Sequence, residues 1–95
     1  MRIDAVIWDR WNKQHIEQHS IETPEVIDVL QEENNMSLFE SSKKDRLFVS
    51  GVTSNGRYLI VIIASAGVYR FYPITAREMT DKERRRYKKW LLKKT

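Results

Sequence analysis

The chain has 95 residues, a net charge of +4, 41% hydrophobic and 32% charged side chains, which suits one small domain with a single core and indicates neither disorder nor a fibre. The absence of cysteine rules out a disulfide framework, a thiol nucleophile and a thiolate metal cluster. No apolar run approaches the roughly 18 residues of a membrane span, and Met1-Arg2-Ile3-Asp4 lacks the pattern of a secretory leader, so a cytoplasmic protein with one domain over residues 1–95 is expected.

Ile3-Asp4-Ala5-Val6-Ile7-Trp8 reads as a short first strand at a sheet edge. Asp9 is placed to cap a helix over 10–19, because its carboxylate accepts from a free amide of the first turn. Trp8, Trp11, Asn12, His15, Ile16 and His19 fall at three- and four-residue spacings on it, and such a tryptophan stripe reads as core. Thr23 and Pro24 open a second helix that runs to about residue 33, with Val26, Ile27, Val29 and Leu30 on a broad apolar face and Asn34-Asn35 ending it.

Residues 37–41 and 46–53 are the next strands. The Asn55-Gly56 pair that follows is a strong hairpin signal. Residues 58–64 and 68–74 form the central hairpin, turned at Ser65-Ala66-Gly67 where glycine permits a positive φ. Leu59-Ile60-Val61-Ile62-Ile63 is apolar on both alternating faces, so this strand is expected to be covered on both sides. Thr80 and Glu83 have capping-box spacing before a helix over 81–93 with a Tyr87, Trp90, Leu91 stripe. The expected fold is α+β, an antiparallel meander packed with two N-terminal helices and a C-terminal helix, in the order β-α-α-β-β-β-β-α.

From Arg77 onward nine basic residues stand against three acidic ones, a net +6, whereas the first 76 residues sum to −2. A cationic end on a weakly acidic body points to a polyanion or an acidic protein partner, although a lysine-rich last helix is also favoured by its own dipole. Arg46, Arg70 and Arg77 lie in or beside neighbouring strands. Strict alternation sends Arg70 and Arg77 to opposite faces, but Pro73 between them can mark a bulge that restores a common face. Guanidiniums gathered on a sheet offer planar donors that match phosphate and stabilise charge developing on it; the ordinary alternative is surface arginines paired with carboxylates.

His15 and His19 stand one turn apart in His-Ile-Glu-Gln-His, which lacks the glutamate of HExxH and any third ligand, so no metal is expected. Either ring is more simply a packed or capping side chain, or an acid or base near neutral pH. Tyr87 reads as a core aromatic with its hydroxyl at the surface, or as a binding or catalytic group. Arg84, Arg85 and Arg86 cannot all face one way. The chain has no glycine-rich phosphate loop, Ser-His-Asp pattern or carboxylate pair, and no cofactor is expected.

Trp8-Asp9, Gln18-His19-Ser20-Ile21, Pro24-Glu25-Val26, Arg46 before a strand ending in Gly51, and the closing Tyr69-Arg70, Ile74-Thr75-Ala76-Arg77 and Glu83-Arg84-Arg85-Arg86-Tyr87 together resemble the BrnT family, the toxins of type II toxin–antitoxin pairs. The likeness spans nearly the whole chain. It implies a RelE-like fold, a ribonuclease that cuts RNA without a metal through 2′-hydroxyl attack, and a cognate BrnA-like antitoxin partner. It assigns the catalytic roles to Arg46, Arg70 and Arg77, with Tyr87 in the last-helix signature and His19 or Lys44 as a base. Lys44, Arg57, Arg84 and Arg85 are the candidate RNA-binding residues. The chain departs from the family pattern at His15, where asparagine is usual and Asn12 stands nearby instead, at Ser20 for glycine and at Thr75 for serine. The alternative reading is a non-catalytic nucleic-acid or protein-binding module on the same fold.

Overall fold

The computed structural model describes residues 2–33, 35–39 and 45–94, with 36–39 described as backbone. Its elements are β1 (Ala5–Val6), α1 (Arg10–Glu17), α2 (Thr23–Gln31), β2 (Met36–Phe39), β3 (Arg46–Val52), β4 (Tyr58–Gly67), β5 (Arg70–Glu78) and α3 (Asp81–Lys94). This is the expected α+β order. The sheet runs β1-β5-β4-β3-β2. Strands β2 to β5 form the antiparallel meander. β1 joins at the β5 edge in parallel, Ala5 opposite Arg70 and Val6 opposite Phe71, so the five-stranded sheet is mixed.

Apolar residues on both faces of β4 require two covers, and the chain supplies them. Leu59, Val61 and Ile63 point to a core with Val49 and Ala76 that is sealed by Ile16 of α1, Ile21, and Val26, Val29 and Leu30 of α2. Ile60 points the other way, into a smaller cluster with Met79 and Tyr87, flanked by Phe48, Tyr58, Ile62, Trp90 and Leu91. We call these the inner face and the outer face of the sheet. Gly51 lets α2 approach the inner face closely: a Cβ there would meet Val29 Cγ1 at 3.1 Å.

Local chemistry sets the boundaries. Asp9 caps α1, its carboxylate accepting from the Asn12 N–H at 2.9 Å while the Asn12 side chain accepts from the Asp9 N–H at 2.9 Å. Asn12 is fully buried and also donates to the carbonyls of Ile7 and Pro73, both at 3.0 Å. Helix α1 is thereby fixed to β5. The cap of α2 is Glu22 rather than Thr23, with Pro24 in the first turn; Asn35 closes its other end by donating to the carbonyls of Val29 and Leu30. The Thr80–Glu83 capping box forms as expected, at 2.8 and 3.2 Å.

Three further expectations are corrected. β4 continues through Ser65-Ala66-Gly67, and the chain reverses instead at Val68-Tyr69, with Tyr69 at φ 56°. β5 continues past Ile74 to Glu78, because the Pro73 ring, which cannot donate to a ladder, sits at a register shift rather than ending the strand. Trp11 lies on solvent, 57% exposed, stacked on His15 with ring centroids 5.0 Å apart; of that stripe only Asn12 and Ile16 are buried.

Candidate nucleic-acid interface

The register shift in β5 decides where its arginines point. Ile63 pairs with Pro73 and Ile62 with Thr75, so Ile74 is the extra residue of a bulge. The shift changes the phase of the strand by one. By register Arg77 stands opposite Ile60, Thr75 opposite Ile62 and Tyr72 opposite Ala64, all on the outer face, and Arg70 alternates with the inner-facing Phe71. Arg46, opposite Ala64, faces the same way. All three arginines therefore share one face, but not one point on it. With strands about 4.8 Å apart and about 3.3 Å of rise per residue, the Cα atoms of Arg46 and Arg70 are about 12 Å apart, whereas Arg77 is about 16 Å from Arg46 and about 20 Å from Arg70.

Arg77 is also engaged. Its guanidinium holds Glu83 at the start of α3 through two bonds, Nη1 to Oε1 at 2.6 Å and Nη2 to Oε2 at 2.9 Å. The Arg77 guanidinium is the main reason the Glu83 carboxyl is held down at about 2; the Thr80 N–H adds to it and burial opposes it. The pair clamps α3 to β5. Among the described residues neither Arg46, half-buried, nor Arg70, exposed, makes an ion pair.

Helix α3 crosses the outer face at the end marked by Tyr58 and Ile60, with Tyr87 buried and Trp90 and Leu91 half-buried beneath it. Its cations divide between two flanks. Arg84 and Lys88 lie over the Tyr58 ring, 4.6 and 5.3 Å from its centroid. On the other flank Lys82, Arg85, Arg86, Lys89 and Lys93 line, with Trp90, an open groove of about 510 Å³. Trp90 is stacked on Tyr87 at 5.9 Å and carries the Lys94 ammonium 5.1 Å from its ring centroid. Of this groove the sequence reading named only Arg85 as a contact. The spacing of Lys82, Arg86, Lys89 and Lys93, one helical turn apart, was the signal that would have found it.

The remaining candidates are dispersed. Arg57 binds Glu25 through Nη1 at 2.8 and 3.0 Å, the Ser20 carbonyl at 3.0 Å and Glu78 through Nη2 at 3.0 Å. It thus ties the α1–α2 turn, where Ser20 has φ 57°, to the sheet. Burial pushes the Glu25 carboxyl up, but the Glu22 N–H and Arg57 outweigh it and leave it below its ordinary range. His19 is exposed beyond the end of α1, its ring edge-on to His15 at 5.7 Å. Because α1 covers the inner face, His19 is not brought together with the arginines. Tyr87 is 1% exposed, and burial raises its hydroxyl above the usual tyrosine value. Lys44 lies outside the described residues.

Among the described residues no three His, Asp or Glu side chains converge as metal ligands, and no helix is long and apolar enough to cross a membrane. No protein-family model matches the chain, and no curated protein matches it.

Proposed function

We propose that this protein is a cytoplasmic, RelE-like toxin of the BrnT kind that engages RNA on the outer face of its sheet and cleaves it, and that a BrnA-like antitoxin neutralises it. The observation that carries the reading is the placement of Arg46 and Arg70 at the end of that face away from α3, a helix whose groove-side flank is cationic. The order of elements and the BrnT-like residues agree with it. In the reaction the 2′-hydroxyl oxygen attacks the adjacent phosphorus. The bond to the 5′ oxygen of the next nucleotide breaks; the 2′-hydroxyl proton is lost to water and the departing 5′ oxygen takes one from water, leaving a 2′,3′-cyclic phosphate and a 5′-hydroxyl. Arg46 and Arg70 orient the phosphate and stabilise the charge that builds on its oxygens, so positioning and charge supply most of the acceleration. Arg77 supports this surface by clamping α3 through Glu83. His19 takes no part.

A second reading, a binding module without cleavage, is favoured by two of the same placements: Arg77 is held in an ion pair, and His19 sits on the far side of the sheet. Induced expression in a bacterial host separates the two. Growth arrest with fragmented RNA, lost in Arg70→Ala, is expected of the toxin; normal growth with intact RNA at confirmed soluble expression would overturn it and leave the module.

A further inference from the structure

The five cations on the groove side of α3 have no ion-pair partner among the described residues, and no carboxylate lines the groove with them. From Lys82 to Lys93 they extend over about 16 Å of helix axis. They do more than complement the helix dipole. Dipole compensation is confined to the last turn, which Lys93 and Lys94 already supply, whereas Lys82, Arg85 and Arg86 stand in the first half of the helix, where a cation gains nothing from the dipole.

We propose that this groove is a binding track for the backbone of single-stranded RNA, separate from the Arg46–Arg70 end of the sheet, with Trp90 as a stacking surface for a base. Three features favour RNA over an acidic protein segment. Lys82, Arg86, Lys89 and Lys93 follow a single line at one-turn intervals with Arg85 beside it, as a regularly charged backbone requires. Two of them, Arg85 and Arg86, present forked donors matched to phosphate oxygens. The groove also offers the Trp90 indole, backed by Tyr87 and with the Lys94 ammonium over its ring, which a stacking base would displace; base stacking on a fixed aromatic is the recurrent way single strands are held without sequence preference. The track rests on the RNA-engaging reading for its ligand and is independent of cleavage.

The test is fluorescence anisotropy with a labelled 12-nucleotide 2′-O-methyl RNA, which cannot undergo 2′-hydroxyl attack, titrated at several salt concentrations. The protein variants are wild type, Arg86→Gln/Lys89→Gln, and a charge-matched control on α1, Arg10→Gln/Lys13→Gln. Removing two backbone contacts to a single strand should reduce the slope of log K against log salt by about 1.4 and weaken binding about 20-fold near 0.1 M salt. The control should change neither to that extent. These side chains are exposed, so circular dichroism should show both variants folded. Equal losses in the two doubles would reduce the effect to net charge and overturn the track, as would a groove double that binds like wild type. Capture of a polyglutamate peptide through the same two residues, with RNA unaffected by their loss, would hand the groove to an acidic protein. Failure of wild type to bind the RNA at all would sink the track and the RNA-engaging reading together, whereas binding through the groove with no RNA cleavage in the induced cells would leave the track standing and remove only the chemistry.

Discussion

The Arg77–Glu83 clamp makes a quantitative claim on stability. A fall of the Glu83 carboxyl from 4.5 to about 2 corresponds, at about 1.4 kcal/mol per unit, to about 3 kcal/mol at face value. The side chains are 28% and 37% exposed, so solvent screening reduces this; about 1–2 kcal/mol is the expected contribution. Because the folded-state value is depressed, the contribution is complete above pH 4.5, where the carboxyl is ionised in both states, and it disappears as pH falls from 4.5 toward 2. Glu83→Gln isolates the ion pair, since glutamine serves the capping box almost as well. In urea or thermal denaturation at pH 7, Glu83→Gln and Arg77→Ala should each lose about 1–2 kcal/mol, a drop in midpoint of about 5–12 °C for a domain of this size. Between pH 4.5 and 2 the gap between Glu83→Gln and the parent should close. A gap that stays constant over that range, or variants as stable as the parent at pH 7, would refute the clamp.

Arg57→Ala should cost about 3 kcal/mol in urea unfolding, because it leaves the nearly buried Glu25 without its cation; the double variant Arg57→Met/Glu25→Leu should recover much of that loss. Asn12→Ala should cost a similar amount by orphaning the Ile7 and Pro73 carbonyls. Asn12→Asp should be worse still at neutral pH, where it sets a carboxylate against both carbonyls, and thermal midpoints rank the two. In an induced-growth assay Arg70→Ala should abolish arrest at unchanged stability, within about 0.5 kcal/mol, Arg46→Ala should weaken it, and His19→Ala should behave as the parent.

Much of this fold was legible because local rules and the core agree. The doubly apolar Leu59–Ile63 run foretold a strand covered on both sides. Asp9, Pro24 and the Thr80–Glu83 box located the helix starts. The far boundary of β5 was not legible: the β-prone run stops at Ile74, and only the ladder with β4 shows that the strand passes through a bulge there and continues to Glu78. That same bulge brings Arg70 and Arg77 to one face, which the sequence offered as one of two outcomes. Their separation along the strand was hidden, since parity reports faces and not distances. Arg57 was read as an RNA contact because charge at a strand start does not reveal that Glu25 and Glu78 lie across from it. Trp11 misled for a related reason: its three- and four-residue spacing fits an exposed ladder of rings with His15 and His19 as well as it fits a core.

Incubation of the purified protein with total RNA in EDTA, with the new ends identified chemically, tests the central claim most directly. The account predicts cleavage without added metal, leaving 2′,3′-cyclic phosphate and 5′-hydroxyl ends, and its loss in Arg70→Ala. RNA that stays intact at protein concentrations where anisotropy shows it bound would contradict the toxin reading and leave a module that holds RNA without cutting it.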